Sequence, residues 1–212
     1  MKNPVIIILV IIILGLLGWI IYQNSGPSAS HSVAAGAFNA TGSTVSAIEG
    51  TDVKTIESKD ANGVLTERGQ ILNDLKTGTW TSYFSDQRVK TIANYAAGKL
   101  NGIYLELNER GQVELQTSYK DDALNGKYAK YKQGSRKLEE REYLMGILHG
   151  VVKKYDDRRS KLQQEIHYKN GEQDGPFRYY DEEGNITLEY IYKNGEKVSG
   201  GIVEKKPVTA TE

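Results

Sequence analysis

The side chains able to do chemistry here are carboxylates, histidines and tyrosines, because the chain contains no cysteine. Paired carboxylates at Glu139-Glu140, and at Asp181 with Glu183, are the residue types with which an acid–base hydrolase acts on glycans. His149 and His167 are of the type that ligates a metal or relays a proton, with His31 as the third histidine. Oxygen-rich clusters at Asp121-Asp122, Asp156-Asp157 and Asp181-Glu182-Glu183 have the donors that calcium takes. Arg158-Arg159 beside Asp156-Asp157 reads as local charge pairing rather than a phosphate site. None of these groups has a spacing that makes its chemistry specific. There is no twelve-residue calcium loop, phosphate-binding glycine loop, nucleophile elbow, His-Glu-x-x-His or zinc-finger spacing. The expectation is a non-enzymatic chain with no catalytic, metal or cofactor-binding residues and no cofactor, in which histidines and acidic turns are solvated surface.

The elements that carry these residues are a repeat. Residues 167–175 read HYKNGEQDG, and 191–200 read IYKNGEKVSG. Five units follow glycine: GTWTSYFSDQRVKTIANYAAGKLN from Gly78, GIYLELNERGQVELQTSYKDDALN from Gly102, GKYAKYKQGSRKLEEREYLMGILH from Gly126, GVVKKYDDRRSKLQQEIHYKNGEQD from Gly150 and GPFRYYDEEGNITLEYIYKNGEKVS from Gly175. The first three have 24 residues and the last two 25, with a degenerate half-unit, RGQILNDLKTG, before them at 68–78. Tyr95, Tyr119, Tyr143, Tyr168 and Tyr192 occupy one equivalent position, and a glycine follows three residues later except at Asp122. Each unit has one turn signal near its middle and one at Y-x-x-G. Two turns in 24 residues leave about eight per strand, so a unit is one β-hairpin. Thirteen of the 14 tyrosines lie between Tyr83 and Tyr192, and the 22 glycines supply turns.

This pattern predicts that each repeat tyrosine lies across from the glycine opening its own unit. Across the next turn it would also face the glycine seven residues on, its ring covering bare backbone on both sides. Trp80, Tyr104, Tyr128 and Phe177 then share the tyrosine face with Val89, Val113, Leu115, Ile186 and Leu188 as the core. Tyr83, Tyr131, Tyr155 and Tyr180 fall on the opposite face, which is either half-covered or displaced by a bulge. Lys205, Lys206 and Pro207 end the array with residues that discourage further pairing.

Before the repeat lies different material. Residues 5–22, VIIILVIIILGLLGWIIY, carry no charge and as a helix span roughly 27 Å, about the thickness of bilayer hydrocarbon. Trp19 and Tyr22 suit the headgroup zone, and Lys2 favours a cytoplasmic N-terminus. Gly15 and Gly18 lack GxxxG spacing. A cleaved signal peptide is the alternative, with Ser28-Ala29-Ser30 as a cleavage site. Residues 23–50 are Ser, Ala, Gly and Thr with almost no charge, a flexible linker. The sequons at Asn39 and Asn185 matter only in a eukaryotic secretory pathway. Taking Lys2 and Glu49 from the 27 basic and 27 acidic residues leaves a balanced domain, with no general attraction to nucleic acid.

The units resemble the MORN-type repeat in its second variant, G-x-W/Y-x-x-Y … Y-x-N-G-x-x-x-G. The copies that carry the resemblance are Gly78-Thr-Trp80-Thr-Ser-Tyr83, Tyr168-Lys-Asn-Gly171 and Gly175-Pro-Phe177-Arg-Tyr-Tyr180, over residues 68–203, with departures at Asp122 and Val152. Bacterial proteins of this pattern look like the YwqK-like group, which is given an antitoxin role. The resemblance implies a meandering antiparallel sheet of hairpins and a binding rather than a catalytic role.

The expected organisation is therefore a cytoplasmic N-terminus at 1–4, a transmembrane signal anchor at 5–22, a linker at 23–50, an all-β repeat domain at 51–203 and a disordered tail at 204–212. The expected location is a bacterial inner membrane, with the C-terminal domain extracytoplasmic, or secreted and periplasmic if the N-terminal segment is cleaved. The expected function is a tethered module that binds or scaffolds another protein or an envelope component. An antitoxin or immunity-type protein that masks a toxin is the alternative.

Overall fold

The computed structural model describes residues 42–203. The anchor at 5–22, the segment 1–4, the linker up to Thr41, His31, the cleavage site, the Asn39 sequon and the tail at 204–212 lie outside the described residues. Among the described residues no helix is long and apolar enough to cross a membrane. All regular structure there is β-strand, in one antiparallel sheet.

The strands are β1 (Ser43–Ala47), β2 (Lys54–Lys59), β3 (Leu65–Leu72), β4 (Leu75–Tyr83), β5 (Val89–Ala96), β6 (Lys99–Leu107), β7 (Val113–Lys120), β8 (Ala123–Leu124), β9 (Gly126–Lys132), β10 (Arg136–Leu144), β11 (Ile147–Leu148), β12 (Gly150–Tyr155), β13 (Leu162–Lys169), β14 (Glu172–Tyr180), β15 (Ile186–Lys193) and β16 (Glu196–Ile202). Two-residue β8 and β11 precede β9 and β12 and pair only with β7 and β10, so the meander is a path of 14 strands in chain order. Residues 43–47, placed in the linker by composition, form β1 and pair with β2 from Ser43↔Ser58 to Ala47↔Lys54. The supposed half-unit is the end of a complete hairpin, β2–β3, whose Ile56 and Ile71 stand where later units have Trp80 and Tyr95.

The Y-x-x-G segments are two-residue turns. Ala96 pairs with Lys99 across Ala97 (φ 48°) and Gly98 (φ 82°), a type I′ geometry that matches strand twist. Asp122, the exception to glycine, adopts the same left-handed backbone at φ 68°, which aspartate tolerates better than most residues. Its Oδ1 accepts the N–H of Leu100, at the start of β6, at 2.7 Å. The extra residue of the fourth unit does fall in the DDRRS turn, where Ser160 N–H donates to Asp156 O over four residues. The corresponding bond spans three in the first, second and fifth units, as from Gly111 to Asn108.

Each repeat tyrosine does pair with the glycine opening its own unit: Tyr95 with Gly78, Tyr119 with Gly102, Tyr143 with Gly126, Tyr168 with Gly150 and Tyr192 with Gly175. The second half of the expected pairing is wrong. The two-residue turn sets Tyr95 opposite Leu100 rather than Gly102, and Tyr119 opposite Leu124 rather than Gly126. The ladder then shifts register between Ala93 and Tyr95, placing the next glycine in a bulge. Gly102 sits there at φ 115°, and a Cβ on it would lie 3.1 Å from Asn94 Cβ. At Gly126 (φ 99°) the obstacle is Ser118 Oγ at 2.8 Å, not a tyrosine ring. These glycines answer to backbone conformation, which L side chains rarely adopt.

Most of the buried residues form one column across the sheet, with Ile71 and Tyr168 beside it at the repeat-tyrosine position. Ile56 lies opposite Gly69, Trp80 opposite Ala93, Ala93 opposite Tyr104, and Tyr104 opposite Thr117. The column continues as Tyr128 with Arg141, Val152 with Ile166, Ile166 with Phe177, and Phe177 with Tyr190. Large and small side chains alternate in the first half. Trp80 lies on Gly69, where an added Cβ would stand 2.2 Å from Trp80 Cδ2, and its Nε1 donates to Gln70 O at 2.9 Å. An aromatic ring does cover a glycine here, though not the pair expected. Each first-strand aromatic also meets its own unit's repeat tyrosine edge-on, with centroids 6.3 Å apart for Trp80–Tyr95, 5.8 Å for Tyr104–Tyr119, 6.2 Å for Tyr128–Tyr143 and 6.2 Å for Phe177–Tyr192, a favourable arrangement of ring quadrupoles. Val152 breaks the aromatic series and packs with Ile166 and Tyr168 instead. Side chains of a single layer bury one another only if that layer coils toward them, and a bulge in nearly every hairpin supplies the bending.

Burial pushes the hydroxyls of Tyr95 and Tyr128 up to about 12 and raises Tyr104, Tyr119 and Tyr168 as well, in Tyr104 with help from the adjoining Glu106 carboxylate. Tyrosine in an unfolded chain ionises near 10. The folded state therefore favours the neutral form, and this stabilisation is complete below about pH 10 and lost as pH rises from there through 12. Tyrosinate absorbance is expected to appear late and together with loss of β-sheet dichroism. Ionisation of these tyrosines near pH 10 with the sheet intact would contradict the burial.

Candidate interaction surface

The face opposite the buried column carries the residues at alternate positions. In its C-terminal half these form a charge-alternating ladder, each member directly across from the next: Glu140, Lys153, Glu165, Arg178 and Glu189. Lys153 reaches Glu165 at 3.9 Å, while Arg178 reaches Glu165 at 3.4 Å and Glu189 at 2.6 Å. His167 Nε2 lies 3.1 Å from Glu165 Oε1. Burial opposes ionisation of Glu140, but hydrogen bonds from Lys137 and Tyr155 outweigh it and hold the carboxyl below its ordinary value. In the middle of the sheet the same ladder is uncharged, through Thr81, Ile92, Leu105, Gln116 and Ala129, and beyond Thr81 it continues as the ion pair of Arg68 with Glu57 at 3.9 Å. Ile103, beside Leu105, is 55% exposed. One face thus presents an uncharged central stretch flanked by an ion pair on one side and a longer charged ladder on the other.

Both alternatives for the second tyrosine set apply. The register shift falls between Ser82 and Tyr83, Lys154 and Tyr155, and Tyr179 and Tyr180. Tyr155 still lies on the outer face, where its hydroxyl donates to Glu140.

The sequence-predicted chemical pairs do not converge. Glu139 and Glu140 are neighbours on one strand and point to opposite faces. Glu139 Oε2 accepts from Arg141 at 2.8 Å on the buried side, whereas Glu140 Oε1 accepts from Lys137 at 2.6 Å on the outer side. Asp181 Oδ1 accepts the N–H groups of Glu183 (3.1 Å) and Asn185 (2.8 Å), closing its own turn. Asp156 Oδ1 does the same with Arg158 and Arg159. Asp157 pairs with Lys132 at 3.0 Å, and Arg159 with Glu182 at 2.8 Å, so neighbouring turns are tied together. Arg159, Lys161, Gln163, Tyr180, Asp181 and Glu182 line a shallow cleft between those turns. His149 Nδ1 accepts the Asn170 N–H at 3.4 Å, the role that Asn125 Oδ1 has for Met145 N–H at 3.1 Å one repeat earlier. Each of these groups has a structural partner that depends on the repeat. Among the described residues no three acidic or histidine side chains are grouped to hold a metal ion.

One charged group that sequence reasoning missed is Arg141, 7% exposed within the core column. Its guanidinium lies 5.1 Å from the Tyr128 ring centre and donates to Tyr143 Oη at 3.0 Å as well as to Glu139. Lys154, directly across from Glu139, has its pKa lowered by burial, against the pull of that carboxylate. The only available signal was positional: Arg141 stands 24 residues after Thr117, itself 24 after Ala93, and both of those are buried.

Residues 173–194 match the MORN repeat variant family model. No curated protein matches the chain. The matched residues cover nearly all of β14 and β15, a hairpin with the same glycine–tyrosine pair and the same two-residue turn as the units before it. The chain is thus consistent with a MORN-type repeat protein, and the repeat itself is shown at 173–194.

Proposed function

We propose that this protein is a non-catalytic, membrane-tethered module that binds another protein or an envelope component through the outer face of its sheet. The observation that carries this reading is the outer face itself, which runs across the sheet with an uncharged centre between ion-paired stretches. Repeats build extended surfaces of this kind without requiring a cleft. MORN repeats are interaction modules in general, which is compatible with a scaffold. The tether rests on the uncharged run at 5–22. The carboxylates and histidines of the types used in catalysis are engaged in turn closure and ladder pairing, which favours binding over reaction.

The test is topology and processing together. Protease added to intact spheroplasts expressing a C-terminally tagged chain is expected to digest the domain, and intact-mass measurement is expected to show residues 5–22 retained. Protection in spheroplasts with digestion after lysis would place the domain in the cytoplasm, overturn the extracytoplasmic reading and leave toxin masking as the better function. Loss of 5–22 with a released domain would replace the tether by secretion.

A further inference from the structure

We propose that the two ends of the sheet are complementary edges, and that a second copy of this chain adds its β1 to β16, continuing the repeat from one molecule into the next. Among the described residues the path begins with β1 and ends with β16, each paired on one side only. In every complete hairpin the first strand carries a column residue such as Trp80, and the second strand carries the residue opposite it, such as Ala93. β1 is a second strand without its first: Val45 pairs with Ile56 and lies 24 residues before Gly69, in the slot of Ala93. β16 is a first strand without its second. Gly200 lies opposite Tyr190, so it holds the column slot of Trp80 and Phe177 rather than that of the unit-opening glycines.

The missing halves fit each other. The path has 14 strands, an even number, so β1 of an incoming copy runs antiparallel to β16 when all connections alternate. The repeat register sets Val45 of one molecule opposite Gly200 of the other. Ser43 then meets Ile202 and Ala47 meets Val198, as Thr91 meets Ser82 and Tyr95 meets Gly78 within a complete hairpin. All five residues of β1 find partners within β16. Val45 beside Gly200 also repeats the large-next-to-small packing of Ile56 with Gly69. Within the strands themselves neither edge is protected: β1 is STVSA, and β16 runs VSGGI after Lys197, with no charge or proline in either stretch, while Lys205, Lys206 and Pro207 come after β16 and lie outside the described residues. Val198 and Ile202, two apolar side chains on this edge, are 59% and 71% exposed. Because the two surfaces differ, the contact is head-to-tail and propagates. The inference rests on the sheet alone and does not depend on the tether.

The absence of cysteine in the chain makes the test direct. Full-length Ser43→Cys and Ile202→Cys proteins, one with a size tag, are mixed and mildly oxidised. Directly opposed strand residues are about 4.5–5.5 Å apart at Cα, within disulfide reach. The expected result is a Ser43→Cys/Ile202→Cys heterodimer in clear excess over both homodimers. Thr44→Cys, whose side chain points to the other face, is expected to give none with Ile202→Cys. Homodimers of either variant in equal or greater yield would mean that like edges meet, or that contact is random, and would overturn the proposal. So would the absence of any cross-link, or a Thr44→Cys product as abundant as that of Ser43→Cys. Spheroplast topology bears on none of these outcomes, so failure here and failure of the tether are separable.

Discussion

Gly69→Val is expected to destabilise the first hairpins by about 3–5 kcal/mol, the range found when a large buried aromatic is lost. The Trp80 ring lies where the new side chain must go, with Cδ2, Cε2 and Cγ all within 2.5 Å of the added Cβ. Neighbouring side chains offer no room, since Ile56, Ile71 and Tyr95 surround Trp80. The ring must leave, losing its edge contact with Tyr95, its bond to Gln70 O and the cover of Lys76, whose Nζ stands 3.9 Å from the ring centre. The check is a double-mutant cycle with Trp80→Ala, read as denaturant midpoints by far-UV dichroism. Both single changes remove the same packing, so the pair is expected to cost much less than their sum. Additive costs would show that Gly69 and Trp80 do not share the space described. Because repeats contact mainly their neighbours, hydrogen exchange is expected to quicken in β2–β5 and change little in β14–β16.

Arg141→Ala is expected to cost about 3 kcal/mol, at the low end for breaking a buried ion pair. The guanidinium fills the column slot between Tyr128 and Val152 and supplies the partner of Glu139, whose side chain is 14% exposed. Removing it strands a carboxylate that has lost its best donor. Lys154 stands directly across and supplies part of the compensation, which keeps the cost from being larger. Arg141→Met together with Glu139→Leu replaces charge by apolar volume on the same face and is expected to recover most of the loss. Thermal unfolding of the two variants decides it. If Arg141→Ala melts with the parent protein, or if the apolar pair is the less stable of the two, the buried pair is not what holds this slot.

These two slots also mark the limit of what could be read from residues alone. Hairpins, their period and their turns are legible because they are local properties. Glycine, asparagine and aspartate at Y-x-x-G tolerate the left-handed backbone of a two-residue turn, and Tyr95 pairs with Gly78 because both lie within one hairpin. The complete first unit escaped because Lys54, Ile56 and Ile71 replace the glycine and aromatics that advertise the later ones, although they keep the same places. β1 escaped because a polar, uncharged stretch forms a strand only when a neighbouring edge supplies its hydrogen-bonding partners.

The amino-acid sequence by itself determined the all-β class, the repeat, the turns and the tyrosine–glycine pairing within each unit, since these follow from backbone preferences over a few residues. The tertiary structure alone decided where the bulges fall, that Gly102 meets Asn94 rather than a ring, and that the column through Ala93, Thr117 and Arg141 is the buried one. A bulge is set by the joint twist of two strands, and burial in a single layer by the coiling of the whole sheet. No individual segment carries either quantity.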